Sequence, residues 1–215
     1  LIREWSVHVV LGNCEESFAE RALDCGCGFE AGSPCSVLSE QWFRYADARI
    51  SEGNRLWMGQ LPVSLTFQLG SQRFSCVHGG VESINKFLFA STPDAEKAAE
   101  LSLLSQGIDG LITGHCGLPF GQMIEGRAWL NAGVIGLPAN DGTADGWYLV
   151  IDHVDNMIKC EWHRLSYPSE QTRQTMLDAG LVNGYADTFI SGLWPSEDVL
   201  PVEEKKNRGK ALEIE

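Results

Sequence analysis

Three apolar runs in this chain each end in a polar residue flanked by glycine. The polar residues are Asn13, His78 and His115. A short apolar run bounded by turn residues is typical of a buried strand. In open α/β sheets ligands bind beyond the carboxyl ends of the strands, and an adjacent glycine lets the backbone turn sharply there. The pattern predicts that one amide oxygen and two imidazoles meet at one sheet edge, a donor set suited to a divalent metal.

Composition sets the outer limits on fold and partners. The 215 residues are 44% hydrophobic, which predicts one domain over residues 1–200, and the charged residues 201–215 without aromatics predict a disordered tail. No apolar run is long enough to span a bilayer and no leader opens the chain, so we expect a cytoplasmic protein without a membrane partner. The net charge of −13 argues against nucleic acid as the main partner. A small anionic substrate stays compatible with this charge, because a bound cation can invert the local field.

Hydrophobic periodicity gives a coarse order of elements. The predicted strands are residues 7–11, 63–69, 73–78, 109–113, 128–131, 147–152 and 158–165. The predicted helices are residues 15–23, 39–50, 51–59, 92–105, 169–179 and 185–193. Strands first alternate with helices and later cluster as hairpins, which favours an α/β fold with a mixed sheet or two packed sheets.

Seven cysteines and seven tryptophans are prominent for this length. The odd cysteine count without a leader favours reduced thiols over a disulfide framework. Cys25, Cys27 and Cys35 follow Cys14 closely, at spacings that are not the usual zinc clamp. A structural metal and a redox or iron–sulfur element remain alternatives to a glycine-rich loop with small thiols. We expect most tryptophans in the core and some over the pocket or at an oligomer interface.

Each candidate ligand also has an ordinary structural explanation. Asn13 precedes an acidic helix start and could be an N-cap, and a lone histidine is often a hydrogen-bonded structural residue. The shared context of strand and glycine favours ligation at all three positions. Asn131 follows another apolar run and could line the same edge. His8, His153 and His163 lack this context, so we interpret them as structural.

Four motifs in order suggest a family. They are Gly-Asn-Cys-Glu at 12–15, Val-His-Gly-Gly at 77–80, Gly-His-Cys-Gly-Leu-Pro-Phe at 114–120 and Leu-Asn-Ala-Gly at 130–133. This set resembles the later motifs of the calcineurin-like metallophosphoesterases over about residues 9–152. The resemblance is strongest to the compact bacterial branch, which acts on phosphodiesters and on some monoesters or dinucleotides. It implies a two-sheet β-sandwich flanked by helices in four layers.

The resemblance also implies an activity. Asn13, His78 and His115 match the ligands of one of two divalent metals, with Mn, Fe, Zn or Ni as candidates. Metal-activated water would then hydrolyse a small phosphodiester, phosphomonoester or nucleotide. The positions expected to line the pocket are Cys14, Gly79, Cys116, Gly117 and Asn131.

The chain departs from the family pattern at visible positions. Gly117 stands where the family's last ligand of the other metal should be, and Cys14 stands where many members have a histidine. The Asp-x-His and Gly-Asp motifs would precede Leu1, so we expect an N-terminal part to be missing. The alternative function is therefore a degenerate relative, with one metal or none, that binds a phosphorylated ligand without cleaving it. If the upstream ligands exist, Gly117→His is expected to raise affinity for a second metal.

Overall fold

Two β-sheets form the centre of the protein, whose computed structural model describes residues 1–181 and 184–214. The strands are β1 (Ser64–Leu69), β2 (Gln72–Val77), β3 (Gly110–Thr113), β4 (Phe120–Ile124), β5 (Arg127–Asn131), β6 (Gly146–Val154) and β7 (Met157–Leu165). The larger sheet has the order β1-β2-β3-β5-β4, with β2, β3 and β5 parallel and the two edge strands antiparallel to their neighbours. The second sheet is the β6–β7 hairpin. The predicted fold class, α/β with two sheets flanked by helices, is confirmed.

Seven α-helices and a short 3-10 helix at Ile2–Glu4 surround the sheets in the described part of the chain. They are α1 (Asn13–Glu20), α2 (Pro34–Asp47), α3 (Glu52–Met58), α4 (Asp94–Ser102), α5 (Ser169–Asp178), α6 (Tyr185–Ser191) and α7 (Val202–Lys205). Helix α2 begins earlier than predicted, because the Ser33 side chain accepts the Ser36 N–H and a proline occupies the first helical position. Within the described ranges no helix is long and apolar enough to cross a membrane.

The prediction of a strand at residues 7–11 is wrong. This segment is not a strand: the Leu11 N–H donates to the Pro62 carbonyl at 2.8 Å, and the Val7 N–H donates to the Trp5 carbonyl at 2.8 Å. An apolar pattern alone does not supply a ladder partner. Strand β4 was missed because only its ends, Phe120 and Ile124, are buried. Its connection to β5 passes through Glu125 and Gly126, both with positive φ, as a tight hairpin turn requires.

The C-terminal tail, predicted to be disordered, packs on the domain over residues 201–214. Leu212 donates its N–H to Asp141 Oδ2 at 3.1 Å and accepts from Arg164 Nη2 at 3.0 Å. Leu212 and Ile214 pack against the main hydrophobic core. The charged composition of the tail concealed these two apolar anchors and their buried partner carboxylate.

Two hydrophobic clusters hold these elements together. The main one lies at the sheets around Trp129 and Leu111, both fully buried, and Trp162 from β7 packs against it. The smaller cluster centres on Phe18 and Phe43, whose rings stack with centroids 4.5 Å apart. Arg55 ties it to α3 by donating to the Phe18 carbonyl at 2.8 Å. The smaller cluster fixes α1, whose first residue is one of the candidate metal ligands.

Candidate metal centre

Three side chains converge at the carboxyl edge of the parallel strands. His78 Nε2 lies 2.8 Å from Asn13 Oδ1 and 3.1 Å from His115 Nδ1. His78 directly follows β2, and His115 follows β3 after one glycine. Because β2 and β3 are parallel neighbours, both histidines leave the sheet at the same edge. Asn13 reaches this point from the start of α1 rather than from a strand end.

Hydrogen bonds from its nitrogen atom fix the orientation of the Asn13 side-chain amide. Its Nδ2 donates to the Cys25 carbonyl at 2.8 Å and to Cys27 Sγ at 3.3 Å, which directs Oδ1 towards His78. The N-cap of α1 is Gly12, and no side-chain capping bond forms there. The N-cap interpretation of Asn13 is therefore wrong.

Cys25 and Cys27 form a disulfide, so the expectation of reduced thiols is wrong for this pair. Cys14 and Cys35 are free thiols. With two of the four clustered cysteines oxidised, the structural-metal and iron–sulfur interpretations of this segment also fail. The cysteine pair instead positions the Asn13 amide.

The loop after His78 is fixed by a buried carboxylate. Glu100 accepts the N–H groups of Val81 at 2.6 Å and Glu82 at 3.0 Å and pairs with Lys86 Nζ at 2.6 Å. Burial alone would raise the pKa of Glu100, but these hydrogen bonds outweigh it and lower the pKa. A side chain on Gly79 would collide with the Ile84 carbonyl. Gly79 therefore serves chain packing and, against expectation, does not line the cavity described below.

His115 occupies a left-handed backbone conformation with φ of 58°, uncommon for a residue other than glycine. Its ring lies 4.2 Å from that of Phe87, centroid to centroid. Its Nε2 is buried, with the Asn85 and Cys27 carbonyls near the ring, and its Nδ1 is the atom that faces His78. The left-handed backbone and the Phe87 ring hold the imidazole in this orientation.

Asn131 supports the His115 loop from beneath. Its Nδ2 donates to the Gly114 carbonyl at 2.8 Å and contacts Cys116 Sγ at 3.2 Å, while its Oδ1 accepts the Gly133 N–H at 3.0 Å. Asn131 is fully buried and does not line the cavity, so that expectation is corrected. It positions the loop that carries His115.

Burial controls protonation in the centre. It lowers the pKa of His78, and together with the nearby His78 ring it lowers the pKa of His115 to about 4, against a smaller opposing effect of two backbone carbonyls. Both rings are neutral at pH 7 and have a free lone pair for a cation. Burial, aided by the Glu15 charge, raises the pKa of Cys14 to about 12, and burial raises that of Cys116 to about 12. These two thiols stay protonated and are poor metal ligands.

A cavity of about 1000 Å³ opens beside the three converging side chains. Cys14, Cys116 and Gly117 line it, together with Asn13, His78 and His115. Gly117 has φ of 79°, and a Cβ there would lie 3.1 Å from the Trp194 ring. A ligating side chain at position 117 is therefore strained by both backbone and neighbour.

The donor set fits a hard-to-borderline divalent cation bound by one amide oxygen and two neutral imidazoles. In the described ranges no group of three or more His, Cys, Asp or Glu side chains is placed to hold a metal, so the centre depends on the Asn13 amide. His8 and His153 are exposed, and His163 stacks on Tyr148 at 5.3 Å.

Sequence reasoning did not predict the residues that surround and orient the three candidate ligands. Phe87 beside His115, Cys27 behind Asn13 and Trp194 beside Gly117 come from distant segments. No periodicity or motif links them to the candidate ligands. Only the folded chain brings them together.

Comparison with solved structures identifies the fold. A hypothetical protein of Pyrococcus horikoshii OT3 matches with a TM-score of 0.69 and 15% identity, over 89% of this chain and 75% of that protein. A metallophosphoesterase from Sphaerobacter thermophilus matches with a TM-score of 0.62 and 17% identity, over 86% of this chain and 76% of that one. No protein-family model matches the chain, and no curated protein matches it in sequence. The chain has the calcineurin-like metallophosphoesterase fold, and the resemblance read from its motifs is confirmed at this level.

Proposed function

We propose that this protein is a metal-dependent phosphoesterase acting on a small phosphorylated substrate. The observation that carries the proposal is the convergence of Asn13 Oδ1, His78 Nε2 and His115 Nδ1 at the carboxyl edge of a metallophosphoesterase-type sheet. The sheet edge of an α/β fold is the usual place for such a site. The adjoining cavity gives a substrate direct access to it.

The chain's own residues would hold a divalent cation of the Mn, Fe, Zn or Ni type. Asn13 contributes an oxygen because Cys25 and Cys27 occupy its amide nitrogen, and the histidines contribute neutral nitrogens because burial keeps them deprotonated. When bound, such a cation polarises the phosphoryl group and lowers the pKa of a coordinated water. Asn131 positions the loop that carries His115, and Glu100 positions the loop that follows His78.

The test is hydrolysis of a panel of phosphomonoesters, phosphodiesters and nucleotides by manganese-loaded protein. We expect turnover by the parent protein and its loss, together with the metal, in His115→Ala. The matched control is His153→Ala, which removes an exposed histidine near the end of β6, outside the cavity lining. Equal activity and metal content in His115→Ala and the parent would contradict the proposal.

A second candidate function follows from Gly117. Because position 117 offers no ligand and faces Trp194, the site would hold one cation and bind a phosphate ester without cleaving it. Elemental analysis of metal per chain, combined with the hydrolysis panel, distinguishes the phosphoesterase from the phosphate-ester-binding protein. Metal retention and phosphate-ester binding without turnover would favour the binding protein.

A further inference from the structure

The cavity beside the candidate metal centre has walls that do not suit a highly polar ligand. Its apolar lining includes Phe29, Trp42, Leu137, Leu149, Phe189 and Trp194. Within the described ranges no lysine or arginine lines it, and Glu15 is the single carboxylate. A polyanionic ligand would meet a repelling charge and no compensating cation beyond a bound metal.

The volume is also much larger than a phosphate group needs. About 1000 Å³ lies at the upper end of cavities that enclose drug-sized ligands. The lining has few hydroxyl side chains that could pair with a sugar, namely Tyr148, Tyr185 and Ser196, and sugar hydroxyls without such a partner would be costly to bury. An aliphatic group would instead gain free energy from every methylene removed from water.

One buried donor on the wall has no partner. Trp147 lines the cavity and is 4% exposed, and its Nε1 makes no hydrogen bond within the described part of the chain. Because this nitrogen is shielded from the cavity as well as from solvent, it offers no hydrogen bond to a ligand, and the wall at Trp147 stays apolar.

We propose that the substrate is a phosphodiester with one phosphate and a long alkyl group, and that the alkyl group occupies this cavity. The inference rests on the proposed phosphoesterase function, since it assigns the organic part of the same substrate. Ile135, 64% exposed and part of the lining, marks an apolar border between the cavity and solvent.

The test uses three p-nitrophenyl diesters with the same leaving group and different second groups: methyl, octyl and thymidin-5′-yl. With manganese-loaded protein we expect kcat/KM for the octyl diester to exceed that for the methyl diester by about 100-fold, from burial of roughly half of the added methylenes. A thymidine diester turned over fastest would overturn the proposal in favour of a nucleoside site. Equal rates for octyl and methyl would also overturn it.

A matched pair of variants localises the effect. Ile135→Asp puts a charge on the apolar border and is expected to lower the octyl-to-methyl ratio by about tenfold. Ile2→Asp makes the same change at an exposed isoleucine outside the lining and should leave the ratio unchanged. Equal ratios in the two variants would place the alkyl group elsewhere.

Failure of the phosphoesterase function is distinguishable from failure of this inference. If no diester is hydrolysed, calorimetry with octyl phosphate and methyl phosphate on the same metal-loaded protein decides. Tighter binding of octyl phosphate would uphold the alkyl site in a protein that is not an esterase. Equal binding of the two phosphates would refute the alkyl site. The apolar wall would then be a surface that contacts a segment of protein.

Discussion

Replacing Asn131 by aspartate tests how the His115 loop is held. The change preserves shape but removes the amide donor that bonds the Gly114 carbonyl at 2.8 Å. It leaves that carbonyl facing a carboxylate oxygen in a fully buried position. The Thr113 hydroxyl, 3.3 Å from the amide nitrogen, can donate to the carboxylate and limits the penalty. We expect the free energy of unfolding to fall by about 3 kcal/mol at pH 7.5. This value is at the lower end of the cost of an uncompensated buried charge.

Urea unfolding followed by tryptophan fluorescence measures this loss, and manganese affinity is expected to fall at least about tenfold because His115 loses its support. The stability deficit should shrink as pH falls towards 5. The folded pKa of the new carboxyl is raised above its unfolded value, so its protonated form, which can donate to Gly114, is favoured in the folded state at low pH.

The matched control is Asn207→Asp, which makes the same change on the exposed surface near the C-terminus. It should alter the free energy of unfolding by less than about 0.5 kcal/mol. If Asn131→Asp is as stable as this control at pH 7.5 and retains manganese, the hydrogen bonds assigned to Asn131 do not hold the loop.

Three further outcomes test other parts of the site. Manganese affinity should fall less than about fourfold between pH 8 and 6, because the pKa of His115 is already lowered to about 4 and that of His78 lies below its ordinary 6.5; a tenfold fall would contradict this. Gly117→His should cost about 1–2 kcal/mol and add no second metal by elemental analysis, since φ is 79° and Trp194 is close; a gain in stoichiometry would show that the loop adapts. The Cys25→Ser/Cys27→Ser double variant should bind manganese several-fold more weakly by calorimetry, because the segment that orients the Asn13 amide is released, and unchanged affinity would assign that orientation to other contacts.

The expected outcome for Gly117→His reverses an expectation drawn from the motifs. In sequence, Gly117 is simply a missing histidine, and restoring it promises a second metal. In the fold, the same glycine takes a left-handed turn against a tryptophan brought from near the C-terminus. The backbone conformation and the distant neighbour are not encoded in the local motif.

The sequence predicted that an amide and two imidazoles would meet at one sheet edge, because apolar runs, glycine turns and polar ends are local patterns. His78 and His115 follow parallel neighbouring strands, so their convergence could be anticipated from strand order. The same local logic failed at residues 7–11, where an apolar run lacks a ladder partner. It also failed at the tail, where Leu212 finds a buried carboxylate far away in sequence.

The sequence by itself determined that an amide and two imidazoles would stand at the ends of apolar segments in an acidic α/β protein. Only the tertiary structure decided which atoms face one another, that Asn131 supports the site rather than lining it, and that the adjoining cavity is apolar. The physical reason is the separation along the chain over which each effect acts. Strand and turn preferences act between neighbours in the chain, whereas hydrogen-bond partners, burial and cavity walls depend on contacts between residues far apart in sequence.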